Sequence, residues 1–96
     1  MSIGLLASMH CKKDAEGAFD TELKKLVETS KKETGCLACE LYQYKDEPTK
    51  YVIEEEWIDE EALSRHMETA HYKYFVHISP ALLVNPADVK ILTRLI

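Results

Sequence analysis

The segment Leu37-Ala38-Cys39-Glu40-Leu41-Tyr42-Gln43-Tyr44-Lys45-Asp46-Glu47-Pro48-Thr49-Lys50-Tyr51-Val52-Ile53-Glu54-Glu55-Glu56-Trp57-Ile58 decides the fold. Residues 37–45 alternate, with Leu37, Cys39 and Leu41 on one side and Ala38, Glu40, Tyr42 and Tyr44 on the other. Residues 50–58 do the same, Tyr51, Ile53, Glu55 and Trp57 opposing Val52, Glu54, Glu56 and Ile58. A period of two over this length is the pattern of a strand. Asp46-Glu47-Pro48-Thr49 between them is turn chemistry, Pro presetting φ and Asp tolerating tight local bonding. Two strands joined by so short a turn form an antiparallel hairpin.

Upstream, Phe19, Leu23, Leu26 and Val27 fall at i, i+4, i+7 and i+8, one apolar stripe of a helix. Asp14 is placed to cap it, Glu16, Asp20 and Glu22 suit its early turns, and Gly35 can take the left-handed stop beyond Lys31 and Lys32. Residues 3–11 precede it as a strand, Ile3, Leu5, Ala7, Met9 and Cys11 on one face and Gly4, Leu6, Ser8 and His10 on the other. Downstream, Asp59 caps a helix whose inward face is Ala62, Leu63, His66 and Met67. Thr69-Ala70-His71 reads as a break, 72–77 as a short helix ended before Pro80, 80–87 as loop, and 89–95 as a last strand. The order β-α-β-β-α-β is the ferredoxin-like α+β pattern, an antiparallel sheet with its helices on one face. The other face carries apolar residues as well, so two sheets are expected to pack face to face in a symmetric homodimer.

The 96 residues leave room for one domain, 1–96. Lys and Arg number 12 against 17 Asp and Glu, a net charge of −5. That balance argues against nucleic acid, whose phosphates call for a basic stripe. No apolar run approaches the ~20 residues of a membrane span. Met1-Ser2-Ile3 has no basic leader region, so no signal peptide is expected, and the three cysteines read as reduced thiols in a cytoplasm. Cys36-Leu37-Ala38-Cys39 matches C-x-x-C, yet it lies on an extended segment with the two side chains expected to point oppositely. Three strand residues span roughly 10 Å, beyond disulfide reach, so packing roles are expected for these thiols. No second cysteine pair completes a zinc site, and no metal or other cofactor is expected.

His66 shares a helix face with Ala62 and is the first candidate for chemistry. A neutral imidazole can take a proton from an acidic phenol. It can equally be a buried histidine held by a carboxylate or carbonyl. His71, five residues on, would sit about 140° away on a continuous helix, and only a kink at Thr69-Ala70 would bring the two together. It can also serve the short helix after it as a cap. Glu55 alternates onto the face of Tyr51, Ile53 and Trp57; if that face meets the helices, its carboxylate needs a partner such as His66 or Arg65, and otherwise it is a partly solvated Glu near the strand end. Tyr51, Trp57, Tyr72 and Phe75 can line a pocket for a flat aromatic ligand, or simply fill the core.

Five stretches together resemble the antibiotic biosynthesis monooxygenase family: Glu33-Thr34-Gly35-Cys36-Leu37, Glu40-Leu41-Tyr42, Pro48 through Trp57, Ala62-Leu63-Ser64-Arg65-His66 and His71-Tyr72-Lys73-Tyr74-Phe75. The resemblance covers nearly the whole chain. It implies a dimeric α/β barrel and, among the family's activities, quinol and anthrone oxidation by O2 without flavin or metal. The family also holds isomerases of small phosphorylated carbonyl compounds and haem-degrading enzymes. The haem-degrading branch carries a Trp where His66 stands, which counts against that activity. The expectation is therefore a cofactor-free monooxygenase of a small aromatic quinol or phenol, with His66 as base, Glu55 assisting and His71 as the next base to consider. An isomerase using the same histidine, or a non-catalytic dimeric ligand-binding or stress-related domain, are the alternatives.

Overall fold

In a computed structural model, described over residues 2–96, β3 (Lys50–Trp57) is the strand around which the rest is arranged. It pairs antiparallel with β2 (Cys36–Gln43) on one side and with β1 (Ile3–His10) on the other, and β4 (Asp88–Thr93) closes the sheet beyond β1. The order β2-β3-β1-β4 is that of the ferredoxin-like α+β fold. Met1, the first residue of the stretch read for a leader, lies outside the described residues. None of the described helices is long and apolar enough to cross a membrane.

The register puts Leu5, Ala7 and Met9 beside Glu55, Ile53 and Tyr51, and this face is the buried one. Helix α1 (Glu16–Ser30) lays Phe19, Leu23, Leu26 and Val27 on it. Phe19 meets Tyr51 edge-on with ring centroids 5.5 Å apart. Each such fully buried side chain stabilises the fold by roughly 1.5–3 kcal/mol, so the stripe read from the sequence is what docks the helix. The start of α1 differs from the expected cap at Asp14. A short 3-10 turn over Lys13–Ala15 leads into the helix, and no side chain caps either element.

Helix α2 (Glu60–Met67) begins as its sequence predicts, the Asp59 carboxylate accepting from the Ala62 amide at 2.8 Å. Thr69 is the N-cap of α3 (Ala70–Leu82), its hydroxyl oxygen facing the Tyr72 amide at 3.3 Å. The break near residue 70 is thus real, but the helix after it is longer than the expected 72–77 and runs through Pro80. Pro80 lacks the N–H that would reach the Val76 carbonyl four residues back. The Ser79 hydroxyl approaches that same carbonyl at 3.4 Å, and its position in the last turn keeps the disturbance local. Residues 80–82 of the expected 80–87 loop are therefore helix.

Strand β2 also departs from simple alternation. Cys36 pairs with Trp57 and Cys39 with Glu55, with a bulge between Cys36 and Ala38. One residue is inserted there, so Cys36 and Cys39 both come to the helix side, and Leu37 is left exposed. The opposite directions expected of the two thiols are corrected by this bulge. Both remain free, and Cys39 is buried. Desolvation, reinforced by the nearby Glu55 charge, pushes the Cys39 thiol up to about 12.

Candidate functional site

Four chain segments meet at the inner end of the helix layer. Alternation along β3 turns Glu55 inward between Ile53 and Trp57. Its carboxylate accepts from the Trp57 indole N–H at 2.8 Å, and His66 Nε2 lies 3.9 Å away. Arg65, the other partner considered, instead pairs with Glu61 on the surface. Burial raises the Glu55 carboxyl above the ordinary glutamate value, with the indole bond and His66 opposing.

His66 stands in the last turn of α2 and is 1% exposed. The Trp57 ring lies against it, centroids 4.5 Å apart, and Tyr72 meets it at 5.0 Å. Thr69 ends one helix and starts the next, its hydroxyl donating to the His66 carbonyl at 2.6 Å. That cap is the kink that brings His71, in the first turn of α3, back beside His66, with ring centroids 6.0 Å apart.

The group that joins the two histidines is one the sequence analysis missed. Glu33, in the turn between α1 and β2, accepts from His66 Nδ1–H and from His71 Nε2–H on the same oxygen, each at 2.7 Å. Thr69 Oγ1 lies 3.2 Å from that His71 nitrogen. The Glu33 oxygen and the two imidazole nitrogens lie within 4.8 Å of one another, a donor set able to hold a metal ion. Nothing in the periodicity marks Glu33. Its signals are its place at the head of the family-like stretch Glu33-Thr34-Gly35-Cys36-Leu37 and Gly35 itself, whose φ of +89° fixes the path of this turn.

Beside the cluster, a cavity of about 450 Å³ opens between the sheet and α3. Leu5, Ala7, Ile53 and Val89 form its floor, Phe75, Val76 and Pro80 a wall, and 83–87 its rim. Among the described residues Glu55 is the one carboxylate lining it, Tyr72 adds a phenol, and no Lys or Arg takes part. Burial and the Glu55 charge raise the Tyr72 pKa, so the phenol keeps its proton.

The candidates therefore separate. Glu55, Tyr72 and Phe75 face the cavity; His66 and His71 stand behind Glu55 and do not line it. Tyr51 and Trp57 lie outside this cavity, and Tyr51 borders a separate, more open depression with His10 and Lys50. Tyr51 sits under Phe19, its hydroxyl donating to Asp20 at 3.2 Å, and Trp57 is sealed between Glu55 and His66. A shallower depression of about 390 Å³ on the outer sheet face is lined by Leu6, Glu40, Glu54, Glu56, Leu92 and Arg94 among others.

Residues 2–78 match the model of the family described as "Antibiotic biosynthesis monooxygenase". Among curated relatives, "Putative monooxygenase YcnE" of Bacillus subtilis is 36% identical over 87 residues, covering 91% of this chain and 92% of that protein. Protein sll1783 of Synechocystis is 30% identical over 89 residues, 93% of this chain, which spans only 60% of that relative's length. Among solved structures, PA3566 of Pseudomonas aeruginosa superposes with a TM-score of 0.92 at 33% identity, over 99% of this chain and 95% of that one.

Proposed function

The chain belongs to the antibiotic biosynthesis monooxygenase family, and from that premise we propose that it oxidises a small aromatic quinol or phenol with O2, needing no bound cofactor. The observation that carries the proposal is the cavity. Its size is in the range of small-molecule sites, its walls are apolar, and a single carboxylate meets its contents.

Glu55 takes the role of proton acceptor, since it is the ionisable base that the cavity reaches. His66, packed behind it, is a positioning residue that holds the carboxylate against Trp57. His71 supports His66 through Glu33. Phe75 offers a face for an aromatic ring, and the Tyr72 hydroxyl can donate to a phenolate oxygen. In the proposed reaction Glu55 removes the phenolic proton. The phenolate passes one electron to O2, and the resulting radical pair joins through a new C–O bond. Protonation gives a hydroperoxide; the carbon then loses its hydrogen as a proton while the O–O bond breaks, releasing water and leaving a quinone. The substrate supplies all four electrons, one oxygen atom enters the product and the other leaves as water. The apolar walls keep bulk water from the radical pair.

The isomerase alternative is less well supported, because a phosphorylated substrate needs cations and none lines the cavity. We place the protein in the cytoplasm as a homodimer, in keeping with its three free cysteines and with the apolar residues on the outer sheet face.

The test is O2 uptake with a panel of quinols and phenols, with and without chelator. Chelator-resistant uptake with quinone formation is the expected result, and Glu55→Gln should cut it by about 10²-fold or more. No uptake across the panel, or a Glu55→Gln protein as active as the parent, would overturn the reading.

A further inference from the structure

The proposed oxidation uses Glu33, His66 and His71 only to hold Glu55 in place, and positioning alone does not call for two imidazoles on one carboxylate. Two imidazole nitrogens and one carboxylate oxygen converge within 4.8 Å from three separate elements. Glu33 and Glu55 are both largely buried, and the ion-pair partners of each within 4.0 Å are imidazoles only; no Lys or Arg of the described residues comes that close. Two carboxylates thus share a partly desolvated site without a fixed cation, an arrangement that a bound cation would stabilise.

The geometry points to a binding site for one divalent transition-metal ion, of which zinc is the type, held by Glu33 Oε2, His66 Nδ1 and His71 Nε2. Two nitrogen donors favour zinc and its neighbours over calcium or magnesium, which take oxygen ligands. Bond lengths of about 2.0–2.2 Å around a tetrahedral ion separate ligand atoms by roughly 3.3 Å. The two contacts to Glu33 are now 2.7 Å, so the ion enters by a small outward shift of His71 and Glu33, the two members that reach solvent. That opening leaves a fourth position for water. Around the ring of His66, the nitrogen not used for the ion faces Glu55 at 3.9 Å. A carboxylate on the far nitrogen is the usual support of a metal-bound histidine. This site stands behind Glu55 and outside the cavity, and no step of the proposed oxidation runs through it.

The experiment is calorimetric titration of chelator-treated full-length protein with Zn2+. One ion per chain at micromolar affinity or tighter is expected, weakened at least 10-fold in Glu33→Gln and in His71→Ala. Both replaced residues are partly exposed, which spares the core. Cys36→Ala/Cys39→Ala should bind as the parent does, because the thiols are not ligands. On the unaltered protein, ring resonances of His66 and His71 should shift on adding Zn2+ while those of His10 and His77 stay. Absence of binding below millimolar Zn2+, unchanged affinity in Glu33→Gln and His71→Ala, shifts confined to His10 or His77, or thiolate charge-transfer absorption with Co2+ would each overturn the assignment.

Discussion

Glu55 is a residue whose chemistry is decided by neighbours two positions away. Alternation with Ile53 and Trp57 forces it inward, and the Trp57 indole gives it one bond there. Burial raises its carboxyl pKa, so the proton acceptor becomes available only as pH rises past a value above the ordinary glutamate range. Oxidation rates measured against pH should climb through that raised pKa, and a profile already flat at pH 4 would contradict the role. Stability moves the opposite way. A carboxyl whose folded pKa is raised contributes stability that is full below its unfolded value and is lost as pH rises through the folded one. Chemical denaturation should show the parent losing ground to Glu55→Gln across that interval. Cys39 gives a second residue-scale expectation. With its thiol pushed up to about 12, almost no thiolate exists at pH 8, and the buried sulfur is shielded besides. Iodoacetamide at pH 8 should leave Cys39 unlabelled in the folded protein and label it after denaturation. That Glu55 shares a face with Tyr51, Ile53 and Trp57 was legible from the sequence because a strand's period of two is rigid, whereas which face the helices cover is settled by the packing. Glu33 was not, because a turn has no period and its side-chain directions depend on the tertiary path.

Among the elements, the strands and the stripe of α1 follow directly from spacing, while the departures occur where one residue breaks a period. The bulge after Cys36 shifts the first part of β2 by one position, which no alternation count can foresee. Pro80 is an ordinary stop signal, yet the helix passes it because the last turn tolerates a missing N–H. The kink at Thr69 was legible as a break, and the cap it forms explains why two histidines five residues apart share one carboxylate. The turn that carries Glu33 is fixed by Gly35. At φ +89° an L side chain is strained, and a Cβ there would lie 2.7 Å from the Ala62 Cβ on α2. Gly35→Ala should therefore destabilise the protein by roughly 1–2 kcal/mol from the backbone alone, and more from the contact. Urea denaturation provides the check. A loss under 0.5 kcal/mol, on the order of an ordinary surface change, would show that the turn relaxes freely.

For the molecule as a whole, the ferredoxin-like order was legible from element succession, and the apolar residues of the outer sheet face are the ground for expecting a second copy there. Every residue of β4 is exposed, including Leu92, and Tyr42 on β2 is exposed as well. An edge strand uncovered on both faces invites association. On the outer face Glu40, Glu54 and Glu56 lie on β2 and β3, while Lys90 on β4, paired with Asp88, and Arg94 just beyond the strand carry the positive charge. Arg94 already bonds both oxygens of Glu56 across the sheet. A two-fold rotation that stacks one outer face on another can set β4 of one copy over the acidic strands of the other, so apolar burial and charge pairing favour the same arrangement. Sedimentation equilibrium at micromolar concentration should give the mass of two 11.0 kDa chains. Leu92→Asp places a carboxylate in the centre of that stacked surface and should yield a folded monomer, with its circular dichroism unchanged and its helix-side cavity intact. A parent protein that sediments as a single chain would remove the sheet-to-sheet dimer. A Leu92→Asp protein that remains dimeric would move the interface away from β4.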